Sequence, residues 1–236
     1  MTASPEILQL QDVTLAVDAT SGPGFCKLDL ALAAGELLVV FLEPEKARRF
    51  LADTAEGLAI PTDGMVTFQG EDWQTMTPDR MAQQRGRIGR VFEGECWLSD
   101  LNVDQDIMLA ERHHTHRARK AIEAEALQLG RAFGLTELPR GRSAEMGWQD
   151  LRKASYVRAF LGAPILILLE NPTSGLDVEV MGSLLQVVQS ARQRGAAVLW
   201  TTDRLEVIDH PELCPTRRWR SDGSQMQALQ ETAGTA

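Results

Sequence analysis

Apolar residues fall along this chain in two rhythms. Between residues 7 and 17 (ILQLQDVTLAV), and again over 28–32, apolar and polar positions alternate, which predicts short strands with one buried face. Three other stretches are apolar without interruption: Leu37 to Leu42, Ile165 to Leu169, and AAVLWTT at 196–202. Such runs predict strands covered on both faces, as in a parallel sheet. Met65 to Phe68 reads as a further strand ending at a Gln69-Gly70 turn. Helices are expected from Pro44 to Glu56, closed by Gly57, and around 150–162 and 179–194. Residues 78–136 read as largely helical, most clearly over AIEAEALQLGRAF. Alternation of strands and helices through the second half implies an α/β chain built on a parallel sheet.

Composition narrows the class. A chain of 236 residues with 44% hydrophobic content can bury a large α/β core, as one domain or a core with a subdomain. The formal charge of −9 argues against a nucleic-acid footprint, which needs a basic face. Three cysteines, Cys26, Cys96 and Cys214, are far apart and form no CxxC pair, so they are expected to be reduced thiols in a cytoplasmic protein. The amino terminus is polar and no apolar run approaches ~20 residues, so neither a signal peptide nor a membrane span is expected. Any membrane association is then expected to run through a partner.

Candidate chemistry concentrates where the Ile165 strand ends. The run ILILLENPTSGLD passes from buried strand to Glu170, Asn171, Pro172 and a polar turn, the place where a parallel sheet presents functional groups. This stretch resembles the Walker B and D-loop segment of ABC-transporter ATPase subunits. The resemblance puts Glu170 at the family's metal-associated Asp and Asn171 at its general-base Glu, and it leaves the D-loop Ser174, Gly175, Leu176 and Asp177 intact. It extends over most of the chain as register: the spacing from Gly35-Glu36 to Gly57, Pro61 and Gly64 matches the family without a gap. The fold implied is a P-loop NTPase-like α/β core with a mixed, largely parallel sheet. Residues 1–236 would form one ABC-ATPase-like domain with an inserted helical subdomain over about 76–160.

Within that frame the chemistry is altered. Family members carry G-x-x-x-x-G-K-[ST], because glycines let backbone N–H groups close around phosphates while the Lys and hydroxyl hold phosphate and magnesium. Here LEPEKARRF puts Leu42 and Ala47 at the two glycines, Arg48 at the lysine, and Arg49 and Phe50 at the hydroxyl pair. Glu43 and Glu45 add carboxylates. At roughly 5 Å and an effective dielectric of about 20, each would cost a bound phosphate about 3 kcal/mol, about two decades of affinity. Lys46, Arg48 and Arg49 could offset part of that charge. Glu43, Glu45, Arg48 and Arg49 are otherwise expected to form a solvated helix face.

Other motif positions follow suit. The family's Q-loop glutamine is Glu93, within IGRVFEGECWLSDLNVDQDI, and Trp97 and Leu98 lie where the family's groove for the transporter's coupling helix would be. Met146, Gly147, Trp148, Gln149 and Asp150 stand at the signature LSGGQ, and Asp203 stands at the switch histidine. No aromatic is found at the adenine-stacking position near Val17; Phe25 is a weak substitute. His113, His114 and His116 read as a solvated connection rather than a metal cluster, and the RRWR run at 217–220 as a solvated edge strand.

The expectation is a degenerate, non-hydrolysing ABC-ATPase-like subunit. It would act as a scaffold or regulatory partner of a membrane permease or of an intact ABC ATPase subunit, cytoplasmic or peripheral at the membrane's inner face, with no cofactor. One alternative is a slow but genuine ATPase that uses ATP and magnesium. Another is a soluble regulator that has left the transporter. The sequence leaves open the transported substrate, the partner, and whether Trp97 belongs to the core or to an interface.

Overall fold

The computed structural model describes residues 6–18, 22–94, 96–175, 178–221 and 225–229. The chain begins with two long antiparallel strands, β1 (Glu6–Asp18) and β2 (Gly22–Ala33), then β3 (Leu37–Phe41) and helix α1 (Glu45–Ala55). Strands β4 (Asp63–Phe68) and β5 (Glu71–Asp72) complete a four-stranded sheet in the order β2-β1-β4-β5. There follow α2 (Pro78–Arg85), β6 (Ile88–Val91), α3 (Val103–Ile107), α4 (Leu109–His114), α5 (Arg119–Ala132), a 3-10 turn over Ser143–Glu145, and α6 (Trp148–Phe160). The last part holds β7 (Leu166–Glu170), α7 (Val178–Gln193), β8 (Ala197–Thr202), α8 (Leu205–Ile208), β9 (Arg217–Ser221) and β10 (Met226–Ala228).

The second sheet runs β10-β9-β3-β8-β7-β6, with β9, β3, β8, β7 and β6 parallel. Its central strands are buried at every position, as their uninterrupted apolar runs require. Side-chain alternation divides them between two cores. Leu37, Val39, Phe41, Ile167, Leu169, Val198 and Trp200 face α6, α7 and α8. Leu38, Val40, Leu166, Leu168, Ala197 and Leu199 face α1 and the antiparallel sheet. Because the strands are parallel and in register, Phe41 opposite Thr202 and Glu170 opposite Thr201, their carboxyl ends open onto one edge. The loops after β3, β6, β7 and β8 meet there.

Several expectations are corrected. Ile88–Val91 is a strand inside a stretch read as helical; four residues are too few to show a period, and Gly89 disguises the apolar run. Gly89 has its own reason: a Cβ there would lie 1.8 Å from the Ala159 carbonyl oxygen, so β6 and α6 touch backbone to backbone. The Arg217 to Arg220 run is not an edge strand, because it pairs with β3 on one side and β10 on the other. Phe25 is 1% exposed in the core shared with the antiparallel sheet, unavailable for stacking on a ligand.

Candidate functional site

The loop after β3 is short. Only Leu42, Glu43 and Pro44 separate the strand from α1, and Pro44 stands at the helix N-cap. The amides of Ala47 and Arg48 both donate to the Pro44 carbonyl, so N–H groups that would have to converge on a phosphate are spent inside the helix. The Leu42 amide is likewise taken, by the Thr202 carbonyl at 2.8 Å.

Arg48, expected on a solvated face, is instead 2% exposed. Its first helical turn points it back over the loop, where Nη1 donates to the carbonyls of both Leu42 and Glu43. Nε and Nη2 grip the two carboxylate oxygens of Glu93 at 2.8 and 2.6 Å, a bidentate pair, and Nη2 lies 3.5 Å from Asp203. Glu43, Glu45 and Arg49 are exposed, as expected, and so is Lys46. Phe50 is half-buried and Ala47 is buried.

Glu93 also accepts from Asn171 Nδ2 at 3.0 Å. Burial acts against its charge, but the hydrogen bonds from Arg48 and Asn171 and the nearby guanidinium charges outweigh it and hold the carboxyl below its ordinary pKa. Asn171 itself is 3% exposed with φ 41°, a left-handed conformation that Asn tolerates well. Arg152 of α6 braces both partners, donating to the carbonyls of Phe92 at 2.7 Å and Asn171 at 2.9 Å. Thus the residues at the family's lysine, Q-loop and general-base positions come together as one hydrogen-bonded group, with Asp203, at the switch position, an ion-pair neighbour at its edge.

A second ion cluster surrounds Glu170. Arg90 of β6 is 5% exposed and reaches Glu170 at 2.6 Å, Asp53 at 2.7 Å and Glu56 at 2.8 Å. Arg90 pairs in register with Leu168, so it shares the strand face that carries Glu170 and looks onto α1. Burial raises the carboxyl pKa of both Glu170 and Glu56; Arg90 pulls the other way, and the crowding of carboxylates around one guanidinium adds to the rise. Sequence reasoning missed Arg90, Asp53 and Glu56. The available signal was an arginine inside an apolar strand, which needs a carboxylate partner.

As placed, these residues do not fit a magnesium triphosphate. Glu170 faces a guanidinium rather than an open coordination position, and Arg48 fills the loop that would cradle phosphate. Among the described residues no cluster of His, Cys, Asp and Glu could hold a metal, and the three cysteines are free.

At the signature position, Gly147 caps α6 without a side-chain hydrogen bond and Trp148 is 46% exposed. The Trp148 ring lies where a Cβ on Gly175 would fall, 2.7 Å away, so it leans on the start of the D-loop segment. Met146 is half-buried; Gln149 and Asp150 are exposed. Ser174 is exposed too, whereas Leu176 and Asp177 lie outside the described residues. Trp97 is half-buried, packed on the main core with the Arg158 guanidinium 4.4 Å over its ring; Leu98 is 51% exposed. Phe92, Cys96, Trp97, Trp148, Leu151 and Arg152 are among the residues lining a cleft of about 220 Å³.

The described chain superposes on the structure of an ATP-binding subunit of an ABC transporter over 94% of its length, with a TM-score of 0.80 and 18% identity. It matches the dimeric structure of a bacterial ABC transporter cassette over 95% of this chain and 99% of that one, with a TM-score of 0.82 and 17% identity. This is the ABC-ATPase fold. In sequence the chain is similar to the octopine permease ATP-binding protein P of Rhizobium meliloti, 25% identical over 189 residues, which are 76% of this chain and 72% of that protein. It is also similar to the methionine import ATP-binding protein MetN of Mesorhizobium japonicum, 27% identical over 209 residues, and to that of Streptomyces coelicolor, 29% identical over 192. These matches cover 87% and 77% of this chain but only 56% and 53% of the MetN proteins, little more than half their length. No protein-family model matches the chain. The resemblance to ABC-transporter ATPase subunits therefore holds in sequence and in fold.

Proposed function

We propose that this chain is a non-hydrolysing ABC-ATPase-like subunit that serves as a scaffold or regulatory partner of a membrane permease, an intact ABC ATPase subunit, or both. The observation that carries this reading is the seat of Arg48. A buried guanidinium bonded to two loop carbonyls and the Glu93 carboxylate turns its donors to the protein itself rather than to a phosphate. Arg90 gives Glu170 the positive charge that magnesium would otherwise bring. With Asn171 at the general-base position, the residue there is an amide that cannot take a proton from water.

Partner binding, in this reading, uses surfaces away from that network. The cleft between Trp97 and Trp148, with Leu98 exposed beside it, is the candidate face for a permease. Among the described residues no helix is long and apolar enough to cross a membrane, so attachment at the inner face would be through the partner.

Titration calorimetry of the purified chain with Mg-ATP tests the proposal. No specific heat is expected through the micromolar range, and light scattering should show no nucleotide-induced dimer. A one-to-one micromolar Kd would overturn it.

A further inference from the structure

We infer that the Glu93 carboxylate is an internal stand-in for a bound anion, and that its pairing with Arg48 latches the loop after β6 to the central sheet without any small ligand. This rests on the reading that the chain takes no nucleotide. It adds a consequence that this reading does not contain: the partner-facing cleft is held in one arrangement at all times.

The geometry is that of an anion site filled from within. Arg48 is fixed on α1 by its position one turn into the helix and by two loop carbonyls, and it presents its fork to a single carboxylate. That carboxylate belongs to the segment leaving β6. Its Oε1 also accepts from Asn171, at the end of β7, so one anion ties three strand ends together. Asp203, at the end of β8, stands 3.5 Å from the same guanidinium. From the opposite side, Arg152 of α6 holds the Phe92 and Asn171 carbonyls. Phe92, Glu93 and Arg152 also line the cleft with Trp97 and Trp148, so the latch and the cleft share walls. A diffusible anion would act on these groups only while bound. A side chain on the loop itself stays tethered beside them, and its local concentration does not depend on the solution.

Chemical rescue tests this directly. Glu93→Ala should leave the Arg48 guanidinium with only the more distant Asp203, 3.5 Å from Nη2, as a charge partner beside a carboxylate-sized gap. Amide exchange over residues 92–101 should then quicken at least tenfold, while strand β8 in the same molecule exchanges as before. Acetate or inorganic phosphate, added at tens of millimolar with chloride as the ionic-strength control, should restore the protection saturably and raise the variant's Tm. Neither anion should affect the parent chain or the Arg48→Met/Glu93→Ala double variant. If Glu93→Ala alone proves insoluble, Glu93→Gln gives the exchange arm, with the same tenfold change expected because the amide cannot pair with the guanidinium as an ion. Unchanged exchange at 92–101 would overturn the latch, as would equal effects of chloride and acetate on Glu93→Ala. Mg-ATP binding by the parent chain would instead strike the functional reading, and calorimetry separates the two failures.

Discussion

Asn171 donates its side-chain amide to Glu93 at 3.0 Å, joining the residue at the family's general-base position to the residue at its Q-loop position. An amide can serve a carboxylate in this way; a second carboxylate cannot. Asn171 at the general-base position and Glu93 at the Q-loop position are therefore coupled parts of one arrangement, since Glu93 draws on both Arg48 and a donor at position 171.

Restoring the base illustrates the coupling. Asn171→Glu should leave Mg-ATP turnover at background, since nothing upstream positions a phosphate near it. It should also lower the Tm, because two carboxyl groups would share a partly buried site, and the new one would hold its proton well above the ordinary range. The deficit should shrink as the pH is lowered toward 5. A magnesium-dependent rate above the parent's would contradict the first half of this prediction, and an unchanged Tm the second.

Arg90 is the keystone of the other cluster. Arg90→Met removes a guanidinium that bonds Glu170, Asp53 and Glu56, leaving one buried and two partly buried carboxylates together. Breaking a buried ion pair from one side costs roughly 3–5 kcal/mol. For a chain of this size that corresponds to a fall in Tm of about 6–20 °C, measurable by calorimetric scanning. Pairing it with Glu170→Gln should recover part of the loss.

The two clusters respond to acid with opposite signs. Glu93 ionises more readily in the fold than in the unfolded chain, so its contribution is complete above the ordinary value of 4.5 and is lost as pH falls through the lower folded value. Glu170 and Glu56 have folded pKa values above 4.5, so they bind protons in the fold first and add stability as pH falls toward 4.5. Urea midpoints between pH 7 and 3 should therefore show no loss from these groups down to about 4.5, then a decline. Glu93→Gln should weaken the decline below 4.5, and Glu170→Gln should flatten the limb above it.

For the cleft, Leu98 is a cleaner probe than Trp97. Trp97→Asp removes a ring that packs on the main core under Arg158, so its stability should fall by about 2 kcal/mol. Leu98→Asp should change stability by no more than about 0.5 kcal/mol. Reduced co-purification of a permease or ATPase partner with Leu98→Asp, at unchanged Tm, would assign this face to docking. Full retention of the partner would remove it.

The frame of this protein was legible in the sequence because uninterrupted apolar runs and glycine spacing are written in consecutive residues. The strand from Leu37, the strand ending at Glu170 and the turn at Gly57 all lie where pattern alone puts them. The site was legible only as a set of positions. That Arg48 turns inward, rather than lying on a wet helix face, depends on Glu93, which is 45 residues away, and on the carbonyls of the loop after β3. The partners of Arg90 were hidden for the same reason, since Asp53 and Glu170 lie on α1 and β7, far away in the chain. Local pattern reports which face a residue occupies; it does not report which charges will meet there.

The closed network around Arg48 also makes its members hard to exchange one at a time. Changing Glu93 to the family's glutamine takes the bidentate carboxylate from a buried guanidinium, and a glutamate at 171 is set against Glu93. Placing glycines at 42 and 47 loosens the loop while Arg48 still fills it. Each such change taken alone is expected to cost stability without yielding a phosphate cradle. The arrangement is a local trap in sequence space: Arg48, Glu93 and Asn171 fit one another, and a single substitution at any of them first passes through a broken hydrogen-bond set.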